Sequence, residues 1–338
     1  MEPRYQRGVA LLTVLFILVL LTTMSVYMVE DEHMALRRIS NQRELEQSYQ
    51  AATASEQWAL KVLERDLIDN EFDHLNEDWN KLDQGGGVSV EDGALKTTVI
   101  DQQGLFNLNN LEKAIIEPTQ EEQQQGRPPK KSEWYEAFER LLQNLDMEQQ
   151  IAAAVVDWID APEEGRGGDG PVLNSSFGAE DNEYQLLDPP YRAANQPFND
   201  IGELLLVKGF GQKGISKLRP YITALPAKEG EKTKVNVNTA PELVLRSLHR
   251  ELLTGDFQSF IAIRTESPFE NIDDALLDPV FAGIATEQIK PLISVESDYF
   301  NVHSDAQFGR ILFRLESLIE RNKGQEVARV VRRRRGLS

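Results

Sequence analysis

The stretch GVALLTVLFILVLLTTMSVYMV occupies residues 8–29 and decides how the rest of the chain is organised. The 21 residues at positions 9–29 carry no charge, Arg4 and Arg7 precede them, and Glu30 follows. As a helix they would be roughly 30 Å long, enough to cross the hydrocarbon core of a bilayer. Because basic flanks favour the cytoplasmic side, the pattern predicts a single membrane span with the bulk of the chain exported.

The length and the flanking residues of the apolar segment indicate whether it is a signal peptide, a membrane anchor or another export signal. A secretory signal peptide has a shorter apolar core and then a small-residue cleavage site, whereas Glu30-Asp31-Glu32 follows here. A plain membrane anchor is one interpretation. The other is a prepilin-type (class III) signal, which the stretch resembles because its small residue, Gly8, directly follows a short polar leader. That resemblance implies that prepilin peptidase cuts after Gly8 and that Val9 becomes the methylated first residue of the mature protein.

The prepilin-like resemblance also draws attention to Thr13. Most pilin-like proteins have a glutamate five residues after the cut, where this chain has Thr13. In the family this carboxylate is thought to pair with the N-terminal amine of the subunit above, and a buried carboxylate without such a partner is costly. An uncharged Thr13 therefore suits a subunit at the tip of a fibre, with nothing above it.

Composition limits the classes of partner and chemistry. The 338 residues suffice for two or three domains. Asp and Glu number 55 against 36 Lys and Arg, a net charge of −19, which argues against nucleic acid as a general partner and favours cations or basic partners. The absence of cysteine excludes thiol catalysis, cysteine zinc sites and disulfides, so a metal ion is one way to fasten the loops.

Local patterns predict a long helix and two separated groups of strands. Residues 31–67 contain no Pro or Gly and have amphipathic helical spacing, which predicts one helix over residues 9–67 that lies on a sheet. Alternation around Asp92-Gly93 predicts a hairpin with strands at 88–91 and 94–101. Three more strands are predicted at 292–302, 308–320 and 325–333, with turns at Ser304-Asp305 and at residues 322–324.

Residues 109–290 between the strands have mostly helical patterns, including a helix–glycine hairpin–helix over 201–225. The predicted fold class is therefore α+β: a pilin-like long N-terminal helix packed on an antiparallel sheet, interrupted by a large all-α insertion with helix-hairpin-helix (SAM-like) elements. The expected domains are the leader 1–8, the transmembrane and fibre-core helix 9–29, the first pilin-like part 30–108, two helical segments 109–232 and 233–290, and the C-terminal strands 291–338.

Three further stretches narrow the resemblance to one family. VNVNTAPELVL (235–245), DPPYRAANQPFNDIGELLLVKGF (188–210) and GAED (178–181) resemble stretches of the minor pseudopilin K (GspK) family of type II secretion systems. The resemblance implies a tip subunit of the pseudopilus, the fibre that drives export of folded proteins. It also implies minor pseudopilins I and J as partners, a single-pass anchor in the bacterial inner membrane, and the bulk of the chain in the periplasm.

An acidic, glycine-rich loop is the candidate metal site. Calcium takes six to eight oxygen ligands, which flexible loops can supply. The loop has no EF-hand spacing, so the alternative interpretation is an acidic loop that is solvated and binds no metal. The resemblance implies calcium, because GspK-like proteins carry it in this insertion. The hypothetical ligands are Asp160, Asp169, Glu180, Asp181 and Asn182.

Two other functions compete with the fibre subunit. GFGQKG (209–214) matches G-x-G-x-x-G but lacks the preceding strand that a dinucleotide site requires. Read as a helix-hairpin-helix turn, the stretch follows Lys208 and contains Lys213, and such turns can bind DNA phosphates. The alternative function is therefore a membrane-anchored DNA-binding protein of a competence-like system. The strongly acidic background instead favours a packing scaffold that binds no nucleic acid. The sequence contains no G-x-S-x-G, P-loop or H-E-x-x-H motif, so no enzyme is predicted. The arginines at 332–335 are expected to be a solvated tail.

Overall fold

A single helix forms the axis of the protein. The computed structural model describes residues 7–83, 88–90, 93–116, 126–127, 130–160, 184–226, 230–325 and 327–335. Helix α1 runs from Arg7–Asp69, 63 residues without a break, which confirms the predicted long helix. One 18-residue window of it has a mean hydropathy of 2.7 and no buried residue, so by length and composition it could cross a membrane.

A five-stranded antiparallel sheet packs on the second half of α1. It consists of β1 (Val88–Val90), β2 (Gly93–Asp101), β9 (Tyr299–Phe308), β10 (Ile311–Asn322) and β11 (Val327–Arg335), in the order β1-β2-β9-β10-β11. Because β2 pairs directly with β9, residues 102–298 are an insertion between two neighbouring strands, and we call this insertion the head. The expected split sheet is thus confirmed.

Two predictions about the last strands were wrong. The turn predicted at Ser304-Asp305 lies inside β9, where Ser304 is buried and contacts Ser55 of α1 at 2.8 Å between the hydroxyl oxygens. The turn instead falls at Gly309, whose φ of 53° suits glycine. The arginines at 332–335 do not form a tail, because β11 extends to Arg335, which pairs with Leu315 of β10.

The head is built from short elements and is not all-α as predicted, because short strands pair within it. Its helices are α2 (Glu133–Asn144), α3 (Ile151–Ile159), α4 (Gln212–Leu218), α5 (Glu242–Leu248), α6 (Phe257–Glu266), α7 (Ile272–Leu276) and α8 (Thr286–Ile289). Its short strands are β3 (Phe106–Asn107), β4 (Ile115–Ile116), β5 (Lys130–Lys131), β6 (Ile222–Thr223), β7 (Val235–Asn236) and β8 (Ile293–Ser294). Its 3-10 helices are Leu108–Leu111, Ile201–Leu206, Arg219–Tyr221, Arg250–Thr254 and Pro279–Phe281, and one more, Asp78–Lys81, lies between α1 and β1.

The helix–sheet layer and the head have separate apolar cores. In the helix–sheet layer Ala59 and Leu63 of α1 pack with Phe300 and Val302 of β9, and all four are fully buried. Burying a leucine such as Leu63 contributes about 1.5–3 kcal/mol. The head has its own larger cluster, which includes Phe106 and Phe138. Where the two parts meet, Leu225 of the head packs with Tyr299 and Leu318 of the sheet, and polar contacts complete the junction.

Contacts between α1 and the sheet show which way the head points. Near the middle of α1, Glu44 accepts the backbone N–H of Arg310 at the β9–β10 turn, at 3.1 Å. Close to the end of α1, Asp66 contacts Arg321 at the end of β10. The head departs after Asp101, whose strand end lies at this same level. The head is therefore joined at the C-terminal end of α1, away from the apolar segment.

Candidate functional site

The first half of α1 is an uncovered apolar surface. Every described residue at positions 9–43 is exposed, and each large apolar side chain at positions 9–29 is at least 51% exposed. The surface continues to Leu36 and Ile39, which are 57% and 63% exposed. Apolar surface of this extent is unfavourable in water and marks a region that lipid or neighbouring helices cover.

The predicted processing residues lie in the first turns of this helix. Gly8 is within α1, and Val9 beside it is 56% exposed. The Thr13 hydroxyl donates to the carbonyl of Ala10 at 2.9 Å, so its polar group is satisfied inside the helix. Thr13 therefore needs no partner from a neighbouring subunit. Cleavage after Gly8 stays a prediction.

The second half of α1 also keeps one exposed aromatic side chain. Trp58 is 45% exposed, although Ala59 beside it is fully buried against the sheet. Ala54 and Lys61, one helical turn before and almost one turn after it, are exposed as well. Aromatic side chains on such faces are frequent anchors of protein interfaces, so the face of α1 opposite the sheet is a second candidate contact surface.

An ionic cluster joins α1, the sheet and the head. Arg321 is 3% exposed and donates to Asp66 at 2.7 Å, to Asp73 and, at 2.6 Å, to the carbonyl of Ser297. Its guanidinium also lies over the ring of Phe300, with 4.3 Å to the centroid. One buried cation therefore connects α1, the segment after α1, the start of β9 and the end of β10.

Asp101 connects this cluster to the VNVNT stretch that carried part of the resemblance. Its carboxylate accepts the hydroxyls of Thr239 at 2.5 Å and Ser297 at 2.7 Å, and the amide of Asn236 at 3.2 Å. Asn236 also donates to the carbonyl of Asp73 at 3.1 Å. Asn236 and Thr239 of VNVNT thus hold the head on the end of the sheet, whereas Asn238 pairs with Phe269 within the head. The sequence alone did not show this role.

The carboxylates of this cluster do not form a cation site by themselves. Oxygens of Asp66, Asp73 and Glu77 lie within 4.8 Å of one another, but the guanidinium of Arg321 already contacts Asp66 and Asp73 as counter-charge. Sequence analysis missed the cluster because Asp66 and Arg321 are 255 positions apart and fit no spacing motif.

Of the five proposed calcium ligands, the structure describes one, Asp160. Asp160 follows α3, and its backbone N–H donates to the carbonyl of Val156 at 2.9 Å. Its Oδ1 accepts the N–H of Lys113 at 3.5 Å, a long hydrogen bond. An aspartate oxygen is a suitable calcium ligand, but one ligand does not make a site. Asp169, Glu180, Asp181 and Asn182 lie outside the described residues, so this site stays a prediction.

The exposed helix, the sheet on its second half and the head at its end together define a pilin-type subunit. Two profile models of the family described as Type II secretion system (T2SS), protein K match residues 104–227 and 235–296. The type II secretion system protein K of Pseudomonas aeruginosa is 31% identical, over 96% of this chain and 91% of the relative. That of Klebsiella pneumoniae is 30% identical, over 98% of this chain and 97% of the relative.

A solved structure has the same architecture. The crystal structure of the GspK-GspI-GspJ complex from the enterotoxigenic Escherichia coli type 2 secretion system contains a chain that is 26% identical, with a TM-score of 0.68. The match covers 89% of this chain and all of that one. The chain belongs to the type II secretion system protein K family and is a minor pseudopilin. These findings do not favour the DNA-binding alternative.

Proposed function

We propose that this minor pseudopilin occupies the tip of the pseudopilus, where it starts and caps the fibre that drives folded proteins across the outer membrane. The observation that carries the proposal is the position of the head at the C-terminal end of α1. Asp66 and Asp101 fix the head at that end, whereas the exposed apolar segment is at the other.

Space in a fibre of parallel helices supports a terminal position. In such a fibre the apolar segments of neighbouring subunits pack against one another. Each subunit therefore extends past the one below it along the fibre axis. A head of almost 200 residues (102–298) beyond the end of α1 would occupy the volume that the next subunit requires. Only the last subunit can therefore carry it. Thr13, uncharged and satisfied by Ala10, supports the same position.

Minor pseudopilins I and J are the proposed partners. The related protein was crystallised as the GspK-GspI-GspJ complex, and the exposed face of α1 supplies the surface such partners would need. Trp58 would be its aromatic anchor above the membrane, and the apolar side chains at 9–29 would pack within the fibre. Prepilin peptidase would cut after Gly8, with the chain anchored in the inner membrane and its bulk in the periplasm.

The predicted helix-hairpin-helix element is proposed as a packing scaffold. The hairpin contains Gly209 at a φ of 88°, close to Ile151 of α3. Lys217 donates to the carbonyl of Leu145 at 3.3 Å, so this cation is used within the head. We therefore assign this hairpin no nucleic acid, and we assign the head no catalytic role. We separately propose that the acidic loop of the head binds calcium.

N-terminal sequencing of the protein from cells with and without prepilin peptidase tests the fibre assignment. We expect the mature chain to begin at Val9 only when the peptidase is present. A Thr13→Glu variant should be cleaved normally but assemble less well with I and J, because its carboxylate would lack an amine above it. Mature protein beginning at Met1, or improved assembly of the variant, would contradict the tip assignment.

A further inference from the structure

The junction between α1 and the head contains more buried acid than its cation can balance. We call Asp66, Asp73, Glu77, Asp101 and Arg321 the acidic joint. They are 8%, 2%, 6%, 5% and 3% exposed, respectively. With all groups ionised, four negative charges would face one positive charge. Removing such an excess from water is strongly unfavourable, because buried charges need partners.

Hydrogen bonds distribute unevenly over the four carboxylates. Asp73 accepts the N–H of Ser297 at 2.7 Å besides its contact with Arg321, and Asp101 accepts the N–H of Gln103 at 2.8 Å besides two hydroxyls. Glu77 accepts the indole N–H of Trp79, the N–H of His74 at 3.1 Å and the amide of Asn70 at 2.8 Å. Among the described residues, its one ion-pair partner is the ring of His74 at 3.6 Å. Asp66 and Asp73 share the guanidinium of Arg321, whereas Glu77 and Asp101 have hydrogen bonds but no permanently charged partner among the described residues.

The groups around the joint do not remove the imbalance. Burial lowers the pKa of His74, so it is neutral at neutral pH and does not balance Glu77. Lys323 contacts Glu296 at 2.8 Å and the carbonyl of Glu71 at 2.7 Å. Two further charged groups influence the joint: Lys81 lowers the pKa of His74, and Asp69 raises the pKa of Asp66.

We propose that the acidic joint is a proton-operated hinge: protonated, it holds the head rigidly on α1, and ionised, it loosens that connection. In the protonated state the Asp66–Asp73–Glu77 group carries less negative charge, and Arg321 balances what remains. In the ionised state three carboxylates within 4.8 Å repel one another. Asp66 lies on α1 and Asp73 and Glu77 lie on the segment after it, and Asp73 also accepts the N–H of Ser297 in the head. The repulsion therefore acts on a residue that holds the head.

The pKa values set the range in which the hinge operates. Burial, together with the smaller effect of the charge of Asp66, raises the pKa of Glu77 to about 7. Burial likewise raises the pKa of Asp66 to about 6 and that of Asp101 to about 6. An unfolded carboxyl titrates near 4, so the folded protein binds extra protons between about pH 4 and 7. Their stabilising effect is complete below that range and is lost as the pH rises through it.

Distance measurements across the joint test the hinge. Since the chain has no cysteine, Lys61→Cys on α1 and Glu287→Cys on the head place two spin labels at exposed sites of the full chain in detergent. Between about pH 5.5 and 8.5 the distance distribution should broaden and the urea midpoint should fall, because the joint ionises in this window. Adding Asp66→Asn and Glu77→Gln should strongly reduce both changes, and the remaining ionisation of Asp73 and Asp101 accounts for the rest. Asp305→Asn removes a half-buried aspartate of β9 that pairs with Arg314, away from the joint. It is the matched control and should leave both pH-dependent changes as they are in the unmodified chain.

Three results would overturn the hinge. They are equal distance distributions at both pH values, a urea midpoint that rises with pH across the window, or a full pH response in the Asp66→Asn/Glu77→Gln variant. If that variant does not fold, infrared absorption of protonated carboxyls in the unmodified protein decides: the band should be present at neutral pH in the folded chain and vanish on unfolding. Its absence from the folded chain refutes the proposal. The inference does not depend on the fibre assignment, because all measurements use the isolated chain.

Discussion

Glu56 of α1 and Arg333 of β11 form a bidentate ion pair, although they are 277 positions apart. The two contacts, from Nε to Oε2 and from Nη2 to Oε1, are both 2.7 Å long. Glu56 is fully buried and also accepts the hydroxyl of Ser317, whereas Arg333 is half exposed. The pair fastens the outermost strand of the sheet to the middle of the long helix.

Arg333→Ala should therefore destabilise the protein by about 2 kcal/mol. This is less than the 3–5 kcal/mol for breaking a fully buried pair, because water screens the exposed guanidinium. The measurement is urea unfolding of the full chain in detergent. Arg329→Ala removes the neighbouring, more exposed pair with Glu320 and should give no measurable loss. Equal effects of the two variants would show that the burial of Glu56 does not matter.

The same pair predicts an effect of acid on the β11 attachment. Burial alone would raise the pKa of Glu56, but the hydrogen bonds from Arg333 and Ser317 bring it below the usual value. A lowered pKa stabilises the fold above the unfolded value and loses this effect as the pH falls through the folded value. The protection of the β11 amides, corrected for the intrinsic exchange rate at each pH, should fall below about pH 4 in the unmodified chain, and Glu56→Gln should not show this fall. An unchanged acid response in Glu56→Gln would contradict the assignment.

Gly309→Ala should loosen the β9–β10 turn from α1. Gly309 has a φ of 53°, and an added Cβ would lie 2.5 Å from the carboxyl carbon of Glu44. The left-handed backbone alone costs a non-glycine residue about 1–2 kcal/mol, and the clash would displace Glu44 from the N–H of Arg310. Thermal unfolding and exchange of the Arg310 amide measure both effects. Gly324→Ala, in a turn without positive φ, is the control, and equal losses would refute the explanation.

Trp58→Ala should weaken assembly without changing stability. If Trp58 anchors the interface, its loss should reduce capture of the I and J subunits roughly 10- to 30-fold, the range for an interface hot spot. Leu312→Ala is the matched control and should not change capture, since Leu312 is also 45% exposed but lies on β10. Normal capture by Trp58→Ala would remove this face of α1 from the proposed interface.

Calcium binding can be measured directly by calorimetric titration of the full chain. We expect uptake at about millimolar concentration or tighter, as in extracellular calcium modules. Asp160→Asn and Asp181→Asn should weaken it, whereas Asp305→Asn should not. A titration without heat or uptake at millimolar calcium would reject the metal site.

The sequence alone determined the long helix, the hairpin and the presence of the last strands. These features depend on local signals: the absence of Pro and Gly within residues 31–67, the uncharged run at 9–29, and the alternation around Asp92-Gly93. Local signals also misled, because Ser304-Asp305 has the composition of a turn. In the structure Ser304 contacts Ser55 inside the core and Asp305 contacts Arg314 across the strands, so both polar residues are satisfied within β9.

Only the tertiary structure decided how the parts are held together. The consecutive arginines became a strand because buried Glu56 and the partly buried Glu316 accept Arg333 and Arg334. The acidic joint likewise draws its members from positions 66 to 321. No spacing rule links such residues, since long-range pairing depends on which side chains the folded backbone brings together and on how strongly burial acts on their charges.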